Sequence, residues 1–196
     1  MLKFFAQKVL RACGWKIVGR FPSGIKKCVI IAAPHTSNWD LLWMLLAAIV
    51  LEIRPNWFGK YTLFKPPLGF LLRALGGIPI DRRSSNNAVE AGIATFQQTD
   101  TICLAVPPEG TRRRVDYWKT GFYHIAHGAG VPIVCSFLDY GTRTAGLGPI
   151  IQPSGDIHAD MKIFQEFYAQ MSGRHADFFG PVRVRPGAGK DREETR

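Results

Sequence analysis

His35 and Asp40 stand at a His-x4-Asp spacing in the segment Pro34-His-Thr-Ser-Asn-Trp-Asp40, and Glu109-Gly-Thr-Arg112 follows far downstream. A neutral imidazole takes a proton from an alcohol only when the correct ring nitrogen is free. A carboxylate that reaches the other nitrogen fixes the tautomer and stabilises the imidazolium that forms. Asp40 can do this for His35 if the histidine lies in a loop and the aspartate in the first turn of the following helix. Gly110 frees the backbone for a tight turn, Thr111 adds a hydroxyl donor, and the Arg112 guanidinium suits bidentate phosphate binding. Arg82 is a second guanidinium able to converge on the same anion, its alternative being an ion pair with Asp81 or Glu109. Arg113 and Arg114 read as a solvated basic edge. A general base beside an anion clamp fits group transfer to a small, negatively charged alcohol.

Strands and helices must carry these residues. The apolar run 28–33 (CVIIAA) has the composition of a strand buried on both faces, and Pro34 ends it. Asn38 or Ser37 caps a helix over about 39–53 whose apolar face includes Leu42, Leu45, Leu46 and Ile49, stopped by Arg54-Pro55. Residues 56–60 read as a short strand and 67–75 as a short helix ended by Gly76-Gly77. Residues 78–81 form the next strand end, with Arg82 immediately after it. Asn87 and Glu90 give a capping pattern for a helix to about Gln98. The run 101–106 is another buried strand, leading into Pro107 to Arg112. Residues 122–129 form a helix ended by Gly130, 131–138 and 148–152 two more strands, and 157–171 a last helix capped by Asp156. This alternation predicts an α/β fold, a mostly parallel sheet flanked by helices, with the chemistry in loops beyond the carboxyl ends of strands. His35, Arg82 and Glu109 to Arg112 all follow strand ends.

At 196 residues the chain reads as one domain: an amphipathic helix at 1–20, the body at 21–186, and a Gly-rich, charged, disordered tail at 187–196. Cys13, Cys28, Cys103 and Cys135 have no metal-binding spacing; three sit in apolar strands, as reduced thiols of a cytosolic protein do. No metal is expected. The 25 basic residues outnumber 15 acidic ones for a net charge of +10, and residues 1–20 hold Lys3, Lys8, Arg11, Lys16 and Arg20 without an acid. Such an excess favours a polyanionic partner: nucleic acid, an anionic membrane surface or a phosphorylated substrate. No RNP-type or helix-turn-helix pattern supports nucleic acid. The longest apolar run, 41–51, falls well short of the roughly twenty residues of a membrane span, and no signal peptide is visible. The first helix, basic and tipped with Phe4 and Phe5, either lies on a membrane surface or packs on its own domain.

These residues carry a resemblance to the 1-acyl-glycerol-3-phosphate acyltransferase family, the lysophosphatidic acid and related glycerolipid acyltransferases. Four motifs fall in the family's order. His35, Ser37 and Asp40 match the first, and Gly76 or Gly77 with Ile80, Asp81 and Arg82 match the second. Residues 108–112 (PEGTR) match the third, and 131–134 (VPIV) the fourth. Pro34, Pro107 and Cys135 depart from the family's Asn, Phe and Pro but remove no proton-transfer or phosphate-binding group. Asn38-Trp39 and the segment 118–121 (WKTG) point to a divergent branch of small bacterial-type members.

The resemblance implies a glycerolipid-acyltransferase-like fold and acyl transfer from acyl-CoA or acyl-carrier protein to a lysophospholipid hydroxyl, in phospholipid biosynthesis. It implies no cofactor beyond the thioester co-substrate. His35 would be the base, Asp40 its orienter, and Arg82 and Arg112 the phosphate ligands. Glu109 would organise the turn or order an arginine, with Gly110 and Thr111 beside it. Backbone N–H groups near 109–111 or at 38–40 are the oxyanion donors. The location implied is cytoplasmic, peripheral on the inner face of the cell membrane. A non-catalytic lipid-binding relative and an acyltransferase for an acceptor without phosphate are the alternatives. Ser23-x-x-Lys26 with Lys119-Thr-Gly121 mimics a Ser-Lys hydrolase, but Ser23 precedes a strand rather than opening a helix.

Overall fold

In chain order the elements are α1 (Leu2–Ala12), β1 (Lys16–Val18), β2 (Lys27–Ala33), α2 (Trp39–Val50), β3 (Pro55–Lys60), a 3-10 turn (Tyr61–Phe64), α3 (Leu68–Ala74), β4 (Gly77–Ile80) and α4 (Ser85–Gln98). They continue with β5 (Ile102–Val106), α5 (Gly121–Ala129), β6 (Ile133–Asp139), β7 (Thr144–Ile151), α6 (Ile157–Tyr168) and a second 3-10 turn (Ala176–Phe178). This computed structural model describes residues 1–80 and 85–188. Arg82 and the tail from residue 189 lie outside them.

The run predicted to be buried on both faces is the middle of the sheet. β2 pairs in parallel with β5 on one side and β6 on the other, and from Cys28 onward every residue is buried. The seven strands lie in the order β1-β7-β6-β2-β5-β3-β4. β6, β2, β5, β3 and β4 all run the same way, whereas β7 returns antiparallel to β6 and β1 follows β7. The loops after β2, β5 and β6 therefore open side by side at one edge.

Alternation along β2 divides the core. Val29 and Ile31 face α4, α5 and α6 through Phe96, Phe122, Phe164 and Tyr168. Cys28 and Ile30 face the other layer with Ile53 and Val134, and next to them Leu10, Trp15, Ala47 and Leu138 join α1 and α2 to the sheet. Each of these large side chains contributes roughly 1.5–3 kcal/mol by leaving water. Gly130, with φ +66°, ends α5 in the left-handed conformation a β-carbon disfavours, and Asp156 caps α6 by accepting from the N–H groups of His158 and Ala159.

Several local readings change. α2 ends at Val50, and its best-buried apolar residue is Ala47 while Leu42 is exposed; a helix apolar nearly all round gives its period no face to select. α1 turns Ala6 and Leu10 inward and leaves Leu2, Phe4 and Phe5 outside. α4 begins at Ser85, which places Asn87 inside the helix rather than at its cap, and α6 stops at Tyr168. β1 was not anticipated, and β7 is longer than predicted. Cys28, Cys103 and Cys135 are buried and Cys13 is exposed, all as free thiols. Among the described residues no helix is long and apolar enough to cross a membrane.

Candidate active site

The chain leaves β2 through Pro34 and presents His35 at the sheet edge, its side chain 17% exposed. Asp40 sits in the first turn of α2, where its charge complements the helix dipole, and its side chain is wholly buried. Its carboxylate bends back over its own loop. Oδ2 accepts the N–H groups of Thr36 and Ser37, each at 2.8 Å, and Oδ1 accepts the Tyr140 hydroxyl at 2.7 Å. Nδ1 of His35 lies 3.2 Å from Oδ2, at ion-pair distance but without the geometry of a full hydrogen bond. Such contacts are commonly loose before a substrate arrives. Burial by itself would raise the Asp40 carboxyl. The imidazole, the Tyr140 hydroxyl and the Ser37 N–H together outweigh it and hold the group below the usual carboxylate range.

Neither predicted cap acts alone. The Asn38 side chain makes no capping bond, and Ser37 Oγ accepts the Trp39 N–H at 3.2 Å while the Asp40 carboxylate ties the turn.

Glu109 enters from the loop after β5 and locks the two loops together: its Oε1 accepts the backbone N–H of His35 at 3.0 Å. The residue is 2% exposed, and Oε2 has no partner. Burial pushes its carboxyl up to about 7, against the opposing pull of the His35 N–H. Gly110 has φ +66°, and a β-carbon there would come within 2.7 Å of the Lys119 side chain. That glycine turns the chain so that Thr111 and Arg112 stand exposed on the rim.

His35 and Glu109 to Arg112 line one cleft of about 1810 Å³. Its apolar wall comes from Leu41, Met44 and Leu45 of α2 and from Trp57, Phe58 and Ile80 of β3 and β4. Lys119 and His124 also border it. His127 is exposed and stacks on Tyr123 instead. Of the predicted residues, the structure brings together His35, Asp40, Glu109, Gly110, Thr111 and Arg112; Arg82 lies outside the described residues. Tyr140 escaped the sequence reading. It belongs to no motif, and the only hint was its polar character just past the end of the strand paired with β2. Among the described residues no group of three or more His, Cys, Asp or Glu could hold a metal ion.

An Acyltransferase family model matches residues 8–138. The 1-acyl-sn-glycerol-3-phosphate acyltransferase of Haemophilus influenzae is 31% identical over 129 residues, covering 62% of this chain and 52% of the relative. The corresponding Salmonella typhimurium protein is 32% identical over 129 residues, 62% and 51% of the two chains. A probable member from Mycoplasma pneumoniae is 32% identical over 131 residues, 62% and 48%. The chain thus spans about half the length of the curated relatives it matches. The crystal structure of the 1-acyl-sn-glycerophosphate (LPA) acyltransferase PlsC from Thermotoga maritima aligns with a TM-score of 0.54 at 19% identity. It covers 85% of this chain and 74% of that one, and shows likeness of fold.

Two predictions follow from the buried carboxylates. Removing the Tyr140 hydroxyl takes a charge-assisted hydrogen bond from Asp40, so Tyr140→Phe should lower stability by roughly 1.5–3 kcal/mol. It should also move the Asp40 carboxyl titration, followed by 13C NMR, to higher pH; an unmoved titration would show that the bond is idle. Glu109 carries the opposite sign. Its folded-state pKa lies above its unfolded value, so its stabilising effect is full below the ordinary carboxylate range and is lost as pH rises through about 7. Denaturant unfolding should show the wild type losing roughly 3 kcal/mol relative to Glu109→Gln between about pH 4 and about pH 8, and parallel stability curves would contradict it.

Proposed function

The chain belongs to the acyltransferase family, and on that premise we propose that it moves a fatty acyl group from acyl-CoA or acyl-carrier protein onto the hydroxyl of a lysophospholipid such as 1-acyl-glycerol-3-phosphate. The observation that carries this reading is the His35 ring, backed by Asp40, on the border of a cleft with an apolar wall and with Arg112 on its rim. Acyl chains suit the wall formed by Leu41, Leu45 and Trp57, and a phosphate suits the arginine.

In this mechanism Nε2 of His35 takes the acceptor hydroxyl proton as the oxygen attacks the thioester carbonyl. Asp40 stabilises the imidazolium from the Nδ1 side. The tetrahedral intermediate collapses by breaking the C–S bond, and the departing thiolate recovers the proton from His35 as a thiol. The acceptor is itself the nucleophile, so no acyl-enzyme is needed. Of the suggested oxyanion donors, the Gly110 N–H is held by the Pro107 carbonyl and the Asp40 N–H by the Ser37 carbonyl. The N–H groups of Thr111 and Arg112 are the donors this reading favours. Glu109 orders the base by holding the His35 backbone. Arg82 is a further phosphate ligand in this scheme.

The reading includes a peripheral place on an anionic membrane face. Phe4 and Phe5 on α1 are each 62% exposed, and Phe70 on α3 is 85% exposed. Lys8 and Arg11 share α1 with no acid, and Lys65 and Arg73 flank Phe70. Apolar insertion beside basic charge is the pattern of interfacial binding.

His35→Ala should reduce thioester consumption with a lysolipid acceptor by roughly 10²- to 10⁴-fold while lysolipid binding persists. Undiminished turnover would end the general-base role. Replacing Phe4, Phe5 and Phe70 together by Glu should abolish flotation with phosphatidylglycerol vesicles, and wild-type binding should weaken with added salt. Equal flotation of variant and wild type would remove the membrane surface from this reading.

A further inference from the structure

Behind the loop that carries His35 lies a second hollow, of about 470 Å³, lined by Thr36 to Trp39, Arg112, Arg113, Arg174, His175 and Phe178. Three of those residues are arginines and none is a carboxylate. Among the described residues, no carboxylate lies in ion-pair range of these arginines. Like charges brought together around one concavity repel unless an anion lies between them.

The far wall of this hollow is built in. The Ser172 N–H donates to Asp139 Oδ1 at 2.9 Å, and the Tyr140 N–H donates to the Ser172 carbonyl at 2.8 Å. The backbone at Gly173 runs so close to Thr36 that a β-carbon would meet its side chain at 2.6 Å. The His175 N–H then donates to Thr36 Oγ1 at 3.3 Å. Arg174 is thereby carried on a segment pinned to the His35 loop, with its guanidinium 5.6 Å from the Trp39 ring centroid. Arg112 is common to this hollow and to the main cleft. Arg174 and His175 lie beyond residues 8–138, where the family match ends.

We propose that Arg113 and Arg174, with Arg112, form a phosphate subsite that holds a phosphomonoester of one of the two substrates while its reacting end lies at His35. Planar guanidinium groups are suited to this ligand, since each can give two parallel N–H donors to phosphate oxygens. The phosphate comes from the acceptor head group or from the thioester donor. The proposal rests on the acyltransfer reading for its substrates, but the site can be tested without turnover.

The test compares full-length wild type, Arg113→Ala, Arg174→Ala and the double variant. Two ratios of kcat/KM are read: 1-acyl-glycerol-3-phosphate over monoacylglycerol as acceptor, and acyl-CoA over an acyl-N-acetylcysteamine as donor. Loss of charged hydrogen bonds should lower one ratio by about tenfold or more. A fall in the acceptor ratio assigns the phosphate to the head group, a fall in the donor ratio assigns it to the thioester, and either supports the subsite. Both ratios unchanged in the double variant overturns it. Independently of transfer, the 31P resonance of inorganic phosphate should broaden with the wild type and sharpen by at least half with the double variant. A wild type that transfers nothing but shows this difference loses the acyltransfer reading and keeps the site. One that transfers normally, with unchanged ratios and no such difference, keeps the reading and loses the site.

Discussion

A carboxylate wholly out of water has to be satisfied on every side, and Asp40 sets the form of the functional edge through that requirement. The penalty for burying an unpaired charge amounts to several kcal/mol. Here it is offset by two backbone N–H groups, a phenol hydroxyl and the neighbouring imidazole. The two N–H groups curl residues 36 and 37 around the carboxylate, which leaves His35 one step upstream with its ring toward the cleft. The phenol fixes where the chain must leave β6. Glu109 then closes the structure from the other side by accepting the His35 N–H. Three loops from three adjacent strands are thus held by two buried acids, one kept charged by its donors and one pushed toward neutrality by its apolar surroundings.

The sheet makes this possible by order and direction. β2 lies between β5 and β6 and runs parallel to both, so the loops after all three emerge at one edge. An antiparallel neighbour in either place would have sent Glu109 or Tyr140 to the opposite edge. The antiparallel turn is reserved for β7, one place farther out, and its return leaves room for β1 at the margin. On the other side of the centre, β3 and β4 contribute Trp57, Phe58 and Ile80 to the cleft wall.

What could be read from the sequence follows the range of each interaction. β2 and β5 show as unbroken apolar runs because burial on both faces leaves no polar position. His35 with Asp40 and Gly110 with Arg112 show because their partners are a few residues away. Tyr140 reaches Asp40 across a separation of 100 residues, and His175 reaches Thr36 across 139, so no spacing marks either contact. β1 is three residues long with alternating exposure, too short for a period to register. The direction of β7 depends on pairing, which composition does not encode. Leu42 was misplaced for a related reason: where a helix is apolar nearly all round, a pattern of apolar residues cannot say which side is packed.

The N-terminal helix is joined to the edge that carries His35 by packing as well as by sequence. Trp15, just past α1, meets Tyr140 edge-on at 5.1 Å and Trp43 of α2 at 5.4 Å. Leu10 of α1 is buried in the same cluster, with Ala47 and Leu138. The ring that donates to Asp40 is therefore held in place partly by residues at the end of the segment that exposes Phe4 and Phe5. If α1 lies on a lipid surface, it does so as a wall of the domain, and its inner face supports the geometry around His35 and Asp40 while its outer face meets the bilayer. An anchor on a flexible tether would fix only the distance between enzyme and membrane. One packed through Trp15 and Tyr140 also fixes the orientation of the cleft, which under the proposed function decides how a lipid acceptor reaches His35.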